Sequence, residues 1–278
     1  MTSLPERPRV LALANQKGGV GKTTTAINLG TALAAIGEEV LIVDLDPQGN
    51  ASTGLGIDRR SRSISTYDVL VGEARIDDAL VETAVPRLTV APSTLDNLGV
   101  ELEIAAESDR AFRLRNAIAE QARMAARDET GRRKRFTYVL IDCPPSLNLL
   151  TVNAMTAAHS ILVPLQCEFF ALEGLSQLLQ TVEQVRKTLN PALTIHGIVL
   201  TMYDSRNNLS GQVVQDVRAH MGEKVYDTII PRNVRVSEAP SYGKPALLYD
   251  LKCTGSQAYL KLASEIIQRE RRLRDEAA

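Results

Sequence analysis

The stretch NQKGGVGKTTT, Asn15 to Thr25, follows directly on the apolar run VLALA and constrains the fold more than any other part of the chain. A glycine-rich turn between an apolar strand and a helical pattern is the form a phosphate cradle takes. Gly21, Lys22 and Thr23 complete the end of a GxxxxGK[ST] pattern, but Gln16 stands where its first glycine belongs. Gly18 and Gly19 instead follow a second lysine, Lys17. The backbone N–H groups of Gly18, Gly19, Val20, Gly21, Lys22 and Thr23 can line an anion nest at a helix N-terminus, where the helix dipole favours negative charge. Glycines serve there because a Cβ would block close approach and disfavour positive φ. Lys22 is expected to bridge the β and γ phosphates of ATP, the Thr23 hydroxyl to ligate Mg²⁺, and Thr24 to reach the α phosphate. One lysine suffices for that task, so Lys17 needs a separate explanation.

The rest of the chain alternates short apolar runs with longer helical patterns. Strands are expected at 10–15, 39–46, 88–92, 136–145, 160–165, 193–202 and 224–231. Helices are expected at 23–36, 94–127, 147–157, 171–189, 209–221 and 254–275. Near-continuous apolar strands separated by helices predict an α/β fold: a doubly wound, mostly parallel sheet with helices on both faces, joined by right-handed crossovers. The 278 residues suit a single domain of this class, and at 44% hydrophobic with no Trp the core must be aliphatic. The segment RDETGRRKRF, 127–136, is the one compositional break, either a basic contact or a solvated surface loop.

Two strand ends are acidic, Asp44 and Asp46 in DLDPQGN and Asp142 in VLIDCPP. In a parallel sheet, carboxylates at strand C-termini gather beside the phosphate loop. Asp142, closing an apolar strand, fits the Walker-B role of holding a magnesium-bound water. Asp44 and Asp46 point to opposite sides of an extended chain, so they divide the work. One would support the magnesium shell and the other orient the attacking water, although a helix N-terminus contact is an equally simple use of Asp44.

KGGVGKTT, DLDPQGN, IDCPPS, EFFALEGL (168–175) and IPRNVRVSEAPSYGKP (230–245), in that order, closely resemble the ParA/Soj chromosome-partitioning ATPases, which carry a deviant Walker A loop and are related to MinD. The resemblance covers nearly the whole chain from Arg9. It implies that Lys17 reaches across an ATP-sandwich homodimer to the partner's nucleotide, where facing triphosphates need extra positive charge. It further implies that Asp46 positions the hydrolytic water, that Asp44 and Asp142 support Mg²⁺, and that Met202, Pro231 and Asn233 line the adenine pocket. Catalysis would then rest on Lys17, Lys22 and Asp46, with slow intrinsic turnover.

The family also binds double-stranded DNA without sequence preference when ATP-bound and dimeric, with a ParB-type centromere-binding protein triggering hydrolysis. Net charge is −1, so any DNA surface must be a local patch. Arg206 and Arg235 match DNA-contacting positions of the family, and Arg218 and Lys224 are nearby candidates. The expected setting is cytoplasmic and nucleoid-associated. The N-terminus lacks the apolar segment of a signal peptide and no stretch approaches a membrane span. About ten residues precede the first strand, so a single ATPase domain over 1–278 without an N-terminal helix-turn-helix is expected. A MinD-like protein acting on membranes would need a bulky apolar face on its last helix, whereas SEIIQRERRLRDEAA reads as a helix packed on the sheet. A redox ATPase would need paired cysteines facing a dimer axis, and Cys143, Cys167 and Cys253 are dispersed. A ParA relative positioning protein cargo is the remaining alternative.

Overall fold

Period-two alternation organises the central strands. In β1 (Arg9–Leu13), β2 (Val40–Asp44) and β5 (Tyr138–Asp142), Val10, Ala12, Leu41, Val43, Val139 and Ile141 point to one face. Leu11, Leu13, Val40, Ile42 and Leu140 point to the other, and both faces are buried. A strand apolar on both sides stays out of water only between two helical layers. The computed structural model, which describes residues 7–277, has that arrangement. Residues 1–6, expected to precede the first strand, lie outside the described residues.

The remaining strands are β3 (Val81–Glu82), β4 (Leu88–Ala91), β6 (Ser160–Gln166), β7 (Thr194–Tyr203) and β8 (Val225–Pro231). The sheet order is β3-β4-β2-β5-β1-β6-β7-β8, parallel except for β3, which runs against β4. The helices are α1 (Lys22–Ala35), α2 (Asn50–Gly54), α3 (Thr66–Val71), α4 (Val100–Glu103), α5 (Arg113–Arg127), α6 (Leu149–Ala157), α7 (Ala171–Thr188), α8 (Asn208–Met221), α9 (Val234–Glu238), α10 (Ala246–Tyr249) and α11 (Thr254–Ala277). Leu70 of α3, Leu114 of α5, Met155 of α6, Leu178 of α7 and Val217 of α8 cover one face. Leu29 and Leu33 of α1 and Tyr259, Leu262 and Ile266 of α11 cover the other. The last helix therefore packs on the sheet, as its sequence predicts.

The seven expected strands form within a few residues of their expected ends. The short β3, α2 and α3 carry too few residues to give a periodic signal. The helix expected over 94–127 is broken. A 3₁₀ turn at Leu95–Leu98 leads through Gly99 into α4, and the chain then turns before α5. The break is held by polar groups: Asn153 Oδ1 of α6 accepts the Leu114 N–H at 3.1 Å, and Arg113 pairs with Glu107 and Asp109. These partners satisfy a helix start that continuous helix would bury, and periodicity alone could not reveal them. In the basic segment, Arg133 pairs with Asp77, Lys134 with Glu82 at 3.0 Å, and Arg135 donates to the Ala125 and Ala126 carbonyls. Three of its cations are thus engaged within the fold.

Candidate nucleotide site

The strand order reverses at β1. From there the chain crosses to β2 on one side, and later from β5 to β6 on the other, leaving a crevice at the strand C-termini. The loop after β1 fills it. Asn15 anchors the loop by donating to the Pro164 carbonyl at 2.8 Å and accepting the Lys17 N–H at 3.0 Å. Thr201 of β7 holds the other side, its hydroxyl donating to the Val20 carbonyl at 2.8 Å. Gly19 and Gly21 adopt φ of 75° and 90°, the left-handed region where side chains are strained, and Gly21 sits at the N-cap of α1. No side chain caps α1 and its first turn has no acid, so its leading N–H groups face the loop uncompensated. A polyanion fits this cradle.

The two lysines stand in different surroundings. Lys22 is buried, with Nζ donating to the Lys17 carbonyl at 3.0 Å. Burial lowers its pKa, and the charges of Asp142 and Asp46 partly restore it. Lys17 Nζ lies 2.8 Å from Glu168 Oε2, a pair whose side chains remain 39% and 46% exposed.

Asp44 and Asp142 end neighbouring parallel strands directly in register, while Leu13 is the β1 partner of Asp142. Both carboxyls are buried. Asp44 Oδ2 accepts the Ser52 N–H at 2.9 Å and the Ser52 hydroxyl at 2.7 Å, a contact to the short helix α2. The simple alternative use of Asp44 is thus realised by one of its oxygens. Asp44 Oδ1 and both oxygens of Asp142 make no full hydrogen bond among the described residues. Burial, and then Asp46, push the Asp44 carboxyl up to about 6 against the Ser52 hydrogen bonds. Burial and Asp44 push Asp142 well above the carboxylate range, opposed by the Thr23 hydroxyl and Lys22. Orphaned buried oxygens beside a threonine hydroxyl are the donor set of a hard divalent cation such as Mg²⁺, and such a charge would compensate the crowding. Asp46, just beyond β2, is half-buried and turns the chain by accepting the Gln48 N–H at 3.0 Å.

Met202 and Pro231 close the neighbouring strands β7 and β8, at the same sheet edge. Met202 has φ of 52°, unusual for a side chain outside glycine, and its Cε comes within 3.9 Å of where a Gly21 Cβ would stand. Asn233 is occupied in capping α9, accepting the Arg235 N–H at 2.9 Å and donating to Thr254 Oγ1 at 2.9 Å. Ser52 and Thr201 lie outside every motif quoted above, and Asn15 and Glu168 open two of them without a role readable there; all four roles emerge only from contacts between elements.

The relatives decide the family. A family described as an AAA domain matches residues 8–195. The "Chromosome partitioning protein ParA" of Caulobacter vibrioides is 66% identical over 270 residues, covering 97% of this chain and 98% of that protein. The "Sporulation initiation inhibitor protein Soj" of Bacillus subtilis is 49% identical, covering 93% and 98%. This chain belongs to the ParA/Soj family of partitioning ATPases. Among solved structures, a Mycobacterium smegmatis protein titled "Cobyrinic Acid a,c-diamide synthase", with bound ADP and magnesium, superposes with a TM-score of 0.79 at 38% identity, covering 95% and 96%. The cell division ATPase MinD of Pyrococcus furiosus superposes at 0.74 with 29% identity, covering 94% and 98%. The fold described above is what this ParA/Soj chain shares with both.

The four basic candidates for DNA contact divide between two ends of the sheet. Arg206, after β7, and Arg235, after β8, lie at the C-terminal strand edge with the phosphate loop. Arg218 and Lys224 lie where α8 returns to the start of β8. The seven residues of β8 separate the two ends by roughly 20 Å. Arg206 forms a bidentate pair with Asp204, Arg235 pairs with Glu238 at 3.1 Å and Asp250 at 3.7 Å, and Arg218 donates to the Asp227 carbonyl. Cys143 and Cys167 are buried and Cys253 half-buried, all three as free thiols. Among the described residues no helix is long and apolar enough to cross a membrane.

Proposed function

We propose that this protein binds Mg²⁺–ATP in the cradle of residues 17–24, dimerises through it, binds DNA without sequence preference, and hydrolyses ATP slowly until a ParB-type protein accelerates it. The observation that carries this reading is the separation of the two lysines. Lys22 lies buried beside Asp142, where it serves the nucleotide of its own subunit. Lys17 lies half-exposed at the mouth of the loop, on the side from which a second subunit would have to approach in this reading. Bound ATP would supply the scissile phosphoanhydride and Mg²⁺ the positive charge that the Asp44 and Asp142 carboxylates would balance, with the Thr23 hydroxyl as a neutral oxygen ligand. Backbone N–H groups of Gly18 to Thr23 orient the phosphates, Thr24 flanks them, and Met202, Pro231 and Asn233 border the base. Asp46 orients the attacking water. Lys17 from the partner subunit neutralises charge developing on the γ phosphate, in the manner of an arginine finger.

Dimerisation doubles the cations presented to DNA, and affinity climbs steeply with each phosphate contact. The test is binding to random-sequence duplex at fixed salt with ATP, ADP or no nucleotide, using the wild type and Lys22→Ala. Binding that requires ATP and is lost in Lys22→Ala is the expected result. Binding independent of nucleotide, or none at all, would overturn the DNA reading and make lipid vesicles the next substrate to assay.

A further inference from the structure

The segment that interrupts the expected long helix is apolar on two opposite sides. Residues three and four apart share a helical face. Asn97, Val100 and Ile104 point inward and are buried. Leu95, Leu98 and Leu102 point outward and are 53%, 68% and 83% exposed. Single exposed leucines need no explanation, but three in helical register on a short surface element form a face without a partner.

The frame around this face is acidic. From Thr94 to Asp109 the chain carries Asp96, Glu101, Glu103, Glu107 and Asp109; Arg113 pairs with the last two and Arg110 donates to the Ala105 carbonyl at 2.6 Å, which leaves Asp96, Glu101 and Glu103 to frame the leucines. Among the described residues no ion pair engages Asp96, Glu101 or Glu103. The neighbouring helix α3 adds to the field. The Tyr67 phenol is pushed up by burial and then by Glu103, Glu73, Asp96 and Asp68.

We propose that the Leu95–Leu98–Leu102 face docks a basic amphipathic segment of the protein that stimulates hydrolysis. The claim rests on the partitioning reading and adds to it the contact surface. Charge selects this occupant. DNA would meet carboxylates, and a second copy presenting the same patch across a two-fold axis would set like charges against each other. A helix with apolar residues at matching spacing and Lys or Arg at its flanks satisfies both the stripe and its frame.

The back of the stripe is wired to the nucleotide site. Asn97 Nδ2 donates to Thr66 Oγ1 at 2.8 Å and to Ser93 Oγ at 2.7 Å. The Thr66 hydroxyl donates to the Asp44 carbonyl at 2.9 Å. The Ser93 N–H donates to Ser52 Oγ at 3.2 Å, and that hydroxyl donates to Asp44 Oδ2. A segment seated on the leucines therefore presses on a turn whose buried side is hydrogen-bonded to the end of β2, and Asp46 follows two residues later.

The experiment uses full-length Leu98→Ser/Leu102→Ser and Glu101→Lys/Glu103→Lys chains with the ParB-type protein of the same organism. It records ATP turnover against ParB concentration, ATP-dependent dimerisation by sedimentation velocity, and thermal melting. The expected result is a half-maximal ParB concentration raised about tenfold or more in both variants. Unstimulated turnover, dimerisation and melting should stay at the wild-type level. Normal stimulation of both variants would overturn the docking surface and leave the partitioning reading intact. Loss of the ATP-dependent dimer would assign the stripe to a second copy and overturn the proposal. A wild type that ParB does not stimulate would overturn the partitioning mechanism and this surface together.

Discussion

Lys17 Nζ is held 2.8 Å from Glu168 Oε2, so the lysine that the proposed mechanism sends to a second subunit is engaged within its own chain. The pair is half-exposed, and such pairs contribute at most about 1 kcal/mol. It is weak enough to be exchanged when a triphosphate enters. Lys17→Ala is expected to melt within a few degrees of the wild type and to bind ATP, while losing the ATP-dependent dimer in sedimentation velocity. A dimer that persists in Lys17→Ala would refute the trans role.

The in-register carboxyls of Asp44 and Asp142 predict a metal requirement for tight nucleotide binding. ATP with Mg²⁺ should raise the melting temperature, and EDTA should remove most of that rise. Asp142→Asn should show little difference between the two conditions, because the buried oxygens that would face the cation no longer carry charge. An Asp142→Asn protein with the full magnesium-dependent shift would exclude Asp142 from the metal site.

Gly21 has φ of 90° at the start of α1, and Met202 from β7 approaches it. Gly21→Ala forces a side chain into a strained region at a cost of about 1–3 kcal/mol. The expected outcome is a lower melting temperature and at least tenfold weaker ATP binding by calorimetry. Wild-type affinity in Gly21→Ala would show that the loop does not need its left-handed turn.

Arg235 is neutralised by Glu238 and Asp250 in the free chain. If Arg235 contacts phosphate, Glu238→Gln should tighten ATP-dependent DNA binding. Arg235→Ala should weaken it equally for all sequences and lower the salt slope by about one for each phosphate no longer neutralised. Arg218→Ala, at the opposite end of the sheet, should have a smaller effect. Filter binding across a salt series separates these cases, and an unchanged slope in Arg235→Ala would remove that residue from the DNA surface.

Glu270 of α11 accepts from His196 Nε2 and Arg9 Nε, both at 2.7 Å, and so ties the last helix to β7 and β1. Burial alone would raise its pKa, but the His196 hydrogen bond and the Arg9 charge hold it below the usual 4.5. A carboxyl lowered in the folded state contributes stability above its unfolded value, and that stability is lost as pH falls through the folded one. Glu270→Gln should therefore cost about 1–3 kcal/mol at pH 7 in urea unfolding. The gap from wild type should narrow below about pH 4.5. A gap independent of pH would show that the carboxylate charge does not hold the helix.

The phosphate loop, the parallel sheet and the acidic strand ends are legible in the sequence, because each is written locally. Apolar runs of strand length, glycines at fixed offsets from a lysine, and aspartates closing apolar runs need no distant partner to be recognised. The break in the helix expected at 94–127 is not legible, because the Asn153 carboxamide that receives the Leu114 N–H lies 39 positions away. The anchors of the loop, Asn15 to Pro164 and Thr201 to Val20, join residues at least 149 positions apart. The sequence by itself determined the fold class, the nucleotide chemistry and the family, since those depend on residue type and spacing. Tertiary structure alone decided that Ser52 occupies one Asp44 oxygen, that Glu168 holds Lys17, that the basic candidates divide between two edges, and that three leucines face outward in an acidic frame. Those relations are set by strand order and packing, which bring together side chains that no local pattern connects.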